Sequence, residues 1–156
     1  MPRITPALIG AAVALALATP AHAQLTSPIP AGTIYLFSVV GVMNQGGLGT
    51  YFSCTSTSAL AQTVTVEVFD GAGMTSGSGS LIVAAGKGAR FSTQAAAGLV
   101  TDSLLASGSI DGGGTARILS TDKKLLCHAF VATTSGTLPT MTPLTIVKKL
   151  KQKAAN

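Results

Sequence analysis

Cys54 and Cys127 are the only two cysteines in a chain of 156 residues. Each falls on the apolar side of a strand-like run: Cys54 with Phe52, and Cys127 with Leu125, Ala129 and Val131. In an oxidising compartment two strand cysteines pair, so a Cys54–Cys127 disulfide is expected. Two separate buried thiols are the alternative, since free cysteine is itself a core residue. The Cys-x-x-Cys spacing of a thiol oxidoreductase is absent. His128 follows Cys127 directly, and successive side chains of a strand point to opposite faces. The two therefore do not form a catalytic pair. Once the leader holding His22 is removed, two cysteines and one histidine also fall short of the four ligands of a structural zinc site. No metal and no cofactor is expected.

The carboxylates are few. Glu67, the only glutamate, alternates with Val64, Val66 and Val68 and is expected to face solvent. Asp70, Asp111 and Asp122 sit beside turn residues, where aspartate side chains cap the backbone. A glycosidase needs two carboxylates facing across a cleft. Asp70 with Asp111 is the pair that the sequence leaves open. There is no Gly-x-Ser-x-Gly elbow. Gly86-Lys87 lacks the preceding glycine spacing and the following Ser/Thr of a phosphate loop. No catalytic residue is assigned. An alternative reading, a small secreted hydrolase or ligand-binding protein, would draw its site from Asp70, Asp111, Arg117 or His128 on different strands.

Residues 1–23 carry an export pattern. A basic start at Arg3 precedes an apolar run at residues 7–18 (ALIGAAVALALA), then Thr19-Pro20 and the small-x-small triplet Ala21-His22-Ala23. The run is short for a bilayer core of about 30 Å. Cleavage is expected after Ala23, leaving a secreted or periplasmic chain with no membrane span. Of the ten lysines and arginines only Arg3 leaves with the leader, so nine face five acidic residues. Four of the nine, Lys148, Lys149, Lys151 and Lys153, cluster at the C-terminus, and the body before them is balanced. That tail predicts weak, salt-sensitive contact with anionic surfaces. Charge without interleaved aromatic residues does not predict specific nucleic-acid binding.

The elements that must position these residues read as strands. Hydrophobic content is 47% and charged content 10%, which rules out ordinary disorder. Eighteen glycines and many threonines and serines fit short strands with frequent turns. Runs at residues 33–43, 51–57, 63–69, 81–84, 89–93, 103–110, 115–120, 124–132 and 144–149 give eight or nine strands with no helical period. Residues 75–80 (TSGSGS) read as a mobile loop, and the glycines at 46–49 and 112–114 as turns. Residues 94–102 admit one helical turn, and residues 115–132 read as a hairpin about Thr121-Asp122-Lys123. The domain plan is a leader at 1–23, an extended lead-in at 24–32, a β-sandwich at 33–149 and a basic tail at 150–156.

The run VTVEVFDGAG and the later LIVAAGKGARF resemble small immunoglobulin-like modules of bacterial surface and secreted proteins, in which a valine-rich strand ends in an Asp-Gly turn. The order FSCTST, VTVEVFD, LIVAAGKGARF, TARILSTDKKLLCHAFV is also similar to the sensory rhodopsin transducer-like sandwich. The resemblance spans residues 50–131 and implies a fold, a single antiparallel immunoglobulin-like β-sandwich. It carries over no functional residue. The sequence thus predicts a secreted, non-catalytic module with a structural or interaction role at the bacterial envelope or beyond it, its partner an unidentified protein or envelope component. Mass spectrometry of exported material should find Gln24 at the mature N-terminus; retention of residues 1–23 would refute this.

Overall fold

The computed structural model describes residues 28–105, 108–135 and 140–148. The leader and three of the tail lysines, Lys149, Lys151 and Lys153, lie outside the described residues. The described chain is all-β. Its strands are β1 (Ile34–Gln45), β2 (Leu48–Ser56), β3 (Gln62–Phe69), β4 (Thr75–Val83), β5 (Gly88–Ser92), β6 (Ser103–Leu104), β7 (Ile110–Ser120), β8 (Leu125–Thr133), β9 (Met141–Pro143) and β10 (Ile146–Lys148).

The strands form one connected sheet in the order β4-β3-β7-β1-β2-β5-β6, with β10 beside β1, β8 beside β2 and β9 beside β8. One half is β4-β3-β7-β1-β10 and the other is β6-β5-β2-β8-β9. They are joined where β1 turns into β2 at Gly46 and Gly47, whose φ angles of 60° and 74° make the two-residue loop of a tight hairpin. Every pair is antiparallel except β5 with β6, so the sheet is mixed. It curls nearly closed and is barrel-like. The expected sandwich of separate antiparallel sheets with an immunoglobulin-like layout therefore meets a single, almost continuous hydrogen-bonded wall.

The core fills the space between the halves. Val64, Val66 and Val68 of β3 point inward, as period-two alternation requires, and meet Val39, Phe52, Phe91, Ile118 and Leu125. Polar groups close both ends. At one end the Thr50 hydroxyl donates to the Met43 carbonyl (3.1 Å) and accepts its N–H (2.8 Å), while Thr93 Oγ1 donates to the same carbonyl (2.9 Å). At the other, buried Gln62 donates to Ser56 Oγ (2.6 Å) and the Lys124 carbonyl (3.0 Å) and accepts from Ser120 Oγ (2.7 Å). Buried polar groups are tolerated only when partnered in this way.

Several expectations fail for identifiable reasons. Residues 75–80 are not a loop. They form most of β4: Thr75 pairs with Phe69 and residues 77–83 pair with the rest of β3, with Ser76 bulged out between them, and small side chains do not prevent pairing. Glycines 112–114 are not a terminal turn. They lie inside β7, where Met43 faces Asp111 and Val42 faces Gly114, so the strand bulges by the intervening residues. Residues 115–132 are not a hairpin. β7 pairs with β1 and β3, whereas β8 pairs with β2 and β9, so the Thr121–Lys123 turn carries the chain across the core from one half to the other. Residues 94–102 hold turns rather than a helix.

Gly114 is required by close approach. A Cβ there would lie 2.4 Å from Ile110 Cγ2, 2.8 Å from the Val42 carbonyl oxygen and 3.0 Å from that of Phe69. Two of these are backbone atoms of the flanking strands and cannot swing aside. Gly114→Ala should lower stability by about 1–3 kcal/mol through overpacking, read as a shifted urea midpoint with unchanged slope. The same substitution at Gly108, which has open space around it, is the control; equal stability of the two variants would refute the close-approach account.

Candidate functional site

The disulfide is present. Cys54 and Cys127 are bonded, with Cα atoms 4.1 Å apart. They are direct cross-strand partners on β2 and β8 and lie in the core beside Phe52, Leu125 and Ala129. The bridge joins neighbouring strands of one half rather than spanning the two halves. It joins residues 73 positions apart in the sequence, worth about 4 kcal/mol in the chain-entropy model. A buried disulfide is compatible with an oxidising compartment.

The four residues considered for a loop-borne site are dispersed. Asp70 caps its own turn, its Oδ1 accepting the N–H of Ala72 (3.0 Å) and of Met74 (2.9 Å). Asp111 accepts from the Gly113 N–H at 3.4 Å. The Asp70 turn adjoins the β7 bulge, with the space for a Cβ on Gly113 3.7 Å from Gly71 Cα. A shallow pocket of about 240 Å³ beside them is lined by Asp70, Ser38 and Thr115. Arg117 lies on the outer face of β7, buried, and forms an ion pair with its cross-strand neighbour Glu67. Its guanidinium also sits 5.5 Å from the Phe69 ring centre and donates to the Pro28 carbonyl at 3.4 Å. Glu67 is thus only 13% exposed at its side chain, not a solvent-facing residue. Period-two reading placed it on the correct face, but that face is itself largely covered. His128 is exposed on the outer face of β8, in the other half. Lys148 closes β10, with its Nζ 6.0 Å from the Phe37 ring centre.

Another concavity lies on the outer face of β5, β2 and β8. The rings of Tyr51 and Phe130 stack across the strands with centres 5.5 Å apart and planes 12° from parallel. They floor a pocket of about 200 Å³ walled by Leu99, Val100 and Arg90, with Ser53 at its edge. Register explains the convergence. Cys54 opposite Cys127 places Tyr51 opposite Phe130 and Ser53 between His128 and Arg90.

Residues 94–102 arch over this face and are pinned at both ends. Tyr51 Oη donates to the Gln94 carbonyl (2.7 Å), and the Ser92 and Thr101 hydroxyls are 3.0 Å apart. Asp102 receives Arg90 through Nε (3.0 Å), Nη2 (3.1 Å) and the backbone N–H (2.8 Å). That hydrogen bonding holds the Asp102 carboxyl below the usual carboxylate range. At the far end of the molecule, the Ser58 hydroxyl does the same for Asp122. Burial pushes the Tyr51 phenol up. The rim thus fixes an ionised carboxylate against a permanent cation over a protonated phenol. These groups hold charge in place rather than exchange protons at neutral pH. The pocket fits one apolar or ring-shaped group.

The pocket was not assigned from the sequence, although the expected disulfide supplied the signal. Counting three residues outward from each cysteine pairs Tyr51 with Phe130. The Arg90–Asp102 pair has no such local cue. Among the described residues no group of three or more His, Cys, Asp or Glu side chains is placed to hold a metal, and no helix is long and apolar enough to cross a membrane. The chain matches no family model, no curated protein and no solved structure.

Because its folded-state pKa is depressed, Asp102 adds stability above the unfolded carboxylate value of about 4 and loses it as pH falls through the folded value. Asp102→Asn should therefore lower stability near pH 7 modestly, by less than about 1 kcal/mol for so exposed a pair, read as a small fall in the thermal midpoint. It should also flatten the acid limb of the stability profile below about pH 4. A variant whose acid limb matches the wild type would show that the pair is not coupled to folding.

Proposed function

We propose that this chain is an exported, non-catalytic β-sandwich module, immunoglobulin-like in organisation, with a structural or interaction role at the bacterial envelope or outside the cell. One observation carries the reading: every acidic residue of the chain is engaged in holding the fold. Glu67 is paired with Arg117 and Asp102 with Arg90. Asp70 and Asp122 accept backbone N–H groups of their own turns, and Asp111 accepts that of Gly113 in the β7 bulge. A general acid or base needs a carboxyl free to change its proton in a cleft, and these are held by structural partners. The buried disulfide supports export, since such bonds persist in oxidising compartments. The tail lysines supply weak attachment to anionic headgroups, additive to whatever partner the domain meets.

The ligand-binding alternative has the Tyr51–Phe130 pocket in its favour. Its volume admits a single side chain or small ring rather than an extended substrate.

Purified mature protein should show no turnover of chromogenic ester, peptide or glycoside substrates above buffer, and Asp70→Asn and Asp111→Asn should change stability only. Turnover that disappears in either variant without unfolding would overturn the non-catalytic reading and restore the hydrolase.

A further inference from the structure

The core-facing side of β2, β8 and β9 continues past the core at the end of the sheet where Thr50 and Thr93 hold Met43. Register sets Leu48 opposite Thr133, and Val131 between Thr50 and Thr142. Alternation puts these residues on the face that carries Phe52 and Cys54 further along. Across from them, β1 and β7 each present a glycine, Gly41 and Gly112, both with a φ of 83°. They sit where β1 shifts register against β7, between Val40 and Val42 and between Val42 and Met43. Bulges gather at barrel rims and beside binding sites, and a strand glycine lets a guest approach the backbone.

The result is a groove of about 410 Å³, walled by Met43, Leu48, Val131 and Leu144, with the exposed Thr140 and Thr142 at its edge. That volume lies in the range of ligand sites, about 300–1,000 Å³. The glycines keep it open. A Cβ on Gly41 would stand 3.3 Å from Leu144 Cδ2, and one on Gly112 would stand 3.4 Å from Met43 Cε. The walls are held by the backbone: Thr50 and Thr93 hydroxyls bond the Met43 main chain, and the Leu144 N–H donates to the Ala129 carbonyl at 2.9 Å. No charged side chain lines the groove. Asp111, next to Gly112, accepts the Gly113 N–H instead. An ionised group placed here would lose hydration and meet no counter-charge. Among the described residues the hydroxyls of Thr140 and Thr142 have no partner, so they are able to bond a neutral polar head.

We propose that this groove binds one small, uncharged, lipid-like molecule, an acyl chain ending in a hydroxyl or ester. The chain lies along Met43, Leu48, Val131 and Leu144, and the head meets the threonine hydroxyls. The site is on the opposite face of β2 and β8 from the Tyr51–Phe130 pocket. It is additional to the structural or interaction role, which stands whether or not the groove is occupied.

The test uses the mature, disulfide-bonded protein and the neutral dye N-phenylnaphthylamine, whose fluorescence rises in apolar surroundings. The dye should bind, and decanol should displace it at least about tenfold more effectively than decanoate at about pH 8, which has the same chain with an ionised head. In the wild type, decanol should shift the methyl resonances of Met43, Leu48, Val131 and Leu144 and leave those of Leu99 and Val100 in place. Thr142→Phe fills the groove from an exposed position and should weaken decanol binding by about tenfold or more. Ser53→Phe, which fills the aromatic pocket, should leave it unchanged. The resonance shifts decide the matter if Thr142→Phe does not fold. The proposal is overturned if neither dye nor decanol binds, or if decanoate competes as well as decanol. It is equally overturned if the shifts fall on Leu99 and Val100 instead, or if folded Thr142→Phe binds like the wild type.

Discussion

Strand β1 must serve both halves of the sheet at once. One of its edges pairs with β7 along nearly its whole length, from Ile34 opposite Ser120 to Asn44 opposite Ile110. The opposite edge is shared, with β10 at residues 37–39 and β2 at residues 44–45. A flat ladder cannot satisfy both, since a strand that leaves one sheet for another has to twist and shift register. β1 does so through three irregularities against β7. The knot of Thr50, Thr93 and Met43 fixes the place where β1 departs from β2 and β5 takes its position beside it. The close contacts at Gly114 follow from the same constraint. β7 has to bulge beneath β1 there, and the Val42 and Phe69 carbonyls close in from both sides.

This geometry decides what the disulfide does. A bridge between halves would hold the wall closed against opening. Cys54–Cys127 instead locks β2 to β8 at one register, in a half whose other pairings include a two-residue and a three-residue strand. Because period-two alternation makes a one-residue slip reverse every side chain, the covalent register also fixes which residues face out. The Tyr51–Phe130 stack and the Arg90–Ser53–His128 rung are therefore consequences of where the cysteines stand. The outer face of the opposite half has no such lock. It relies on the Glu67–Arg117 pair, which is nearly buried and held by cross-strand register and by Phe69. Burying two charges is costly unless both are paired and hydrogen-bonded, so this contact serves alignment more than net stability.

The sequence was informative where pattern and position coincide. The valines of β3, the Gly46-Gly47 turn and the two cysteines each carry a local signal, and each is found in the expected place. It was misleading where composition stood in for pairing. Glycine and serine in β4 and glycine in β7 read as loop because they lack side chains to pack. Backbone pairing does not need those side chains when the neighbouring strand supplies the burial. The β7–β8 connection read as a hairpin because two strands flank a short turn, yet the turn crosses the core. Nothing local separates a hairpin from a crossover of equal length; the choice rests on which partner buries more apolar surface, and Ile118 and Leu125 each face the same core from opposite walls. The pocket was legible only through the disulfide, and the Arg90–Asp102 clasp not at all, since its members stand twelve positions apart across a mostly irregular stretch without periodicity.

The chain's charge distribution bears on where function can reside. With every carboxylate engaged in the fold and the excess of lysine at the C-terminus, the domain presents a nearly neutral surface on which large apolar side chains such as Leu60, Ile82 and Leu126 are exposed. Such a surface has little long-range steering toward any partner, and recognition has to come from short-range fit. The described surface offers concavities for such fit on both halves, the stacked aromatic pocket on β5, β2 and β8 and the shallow pocket beside Asp70.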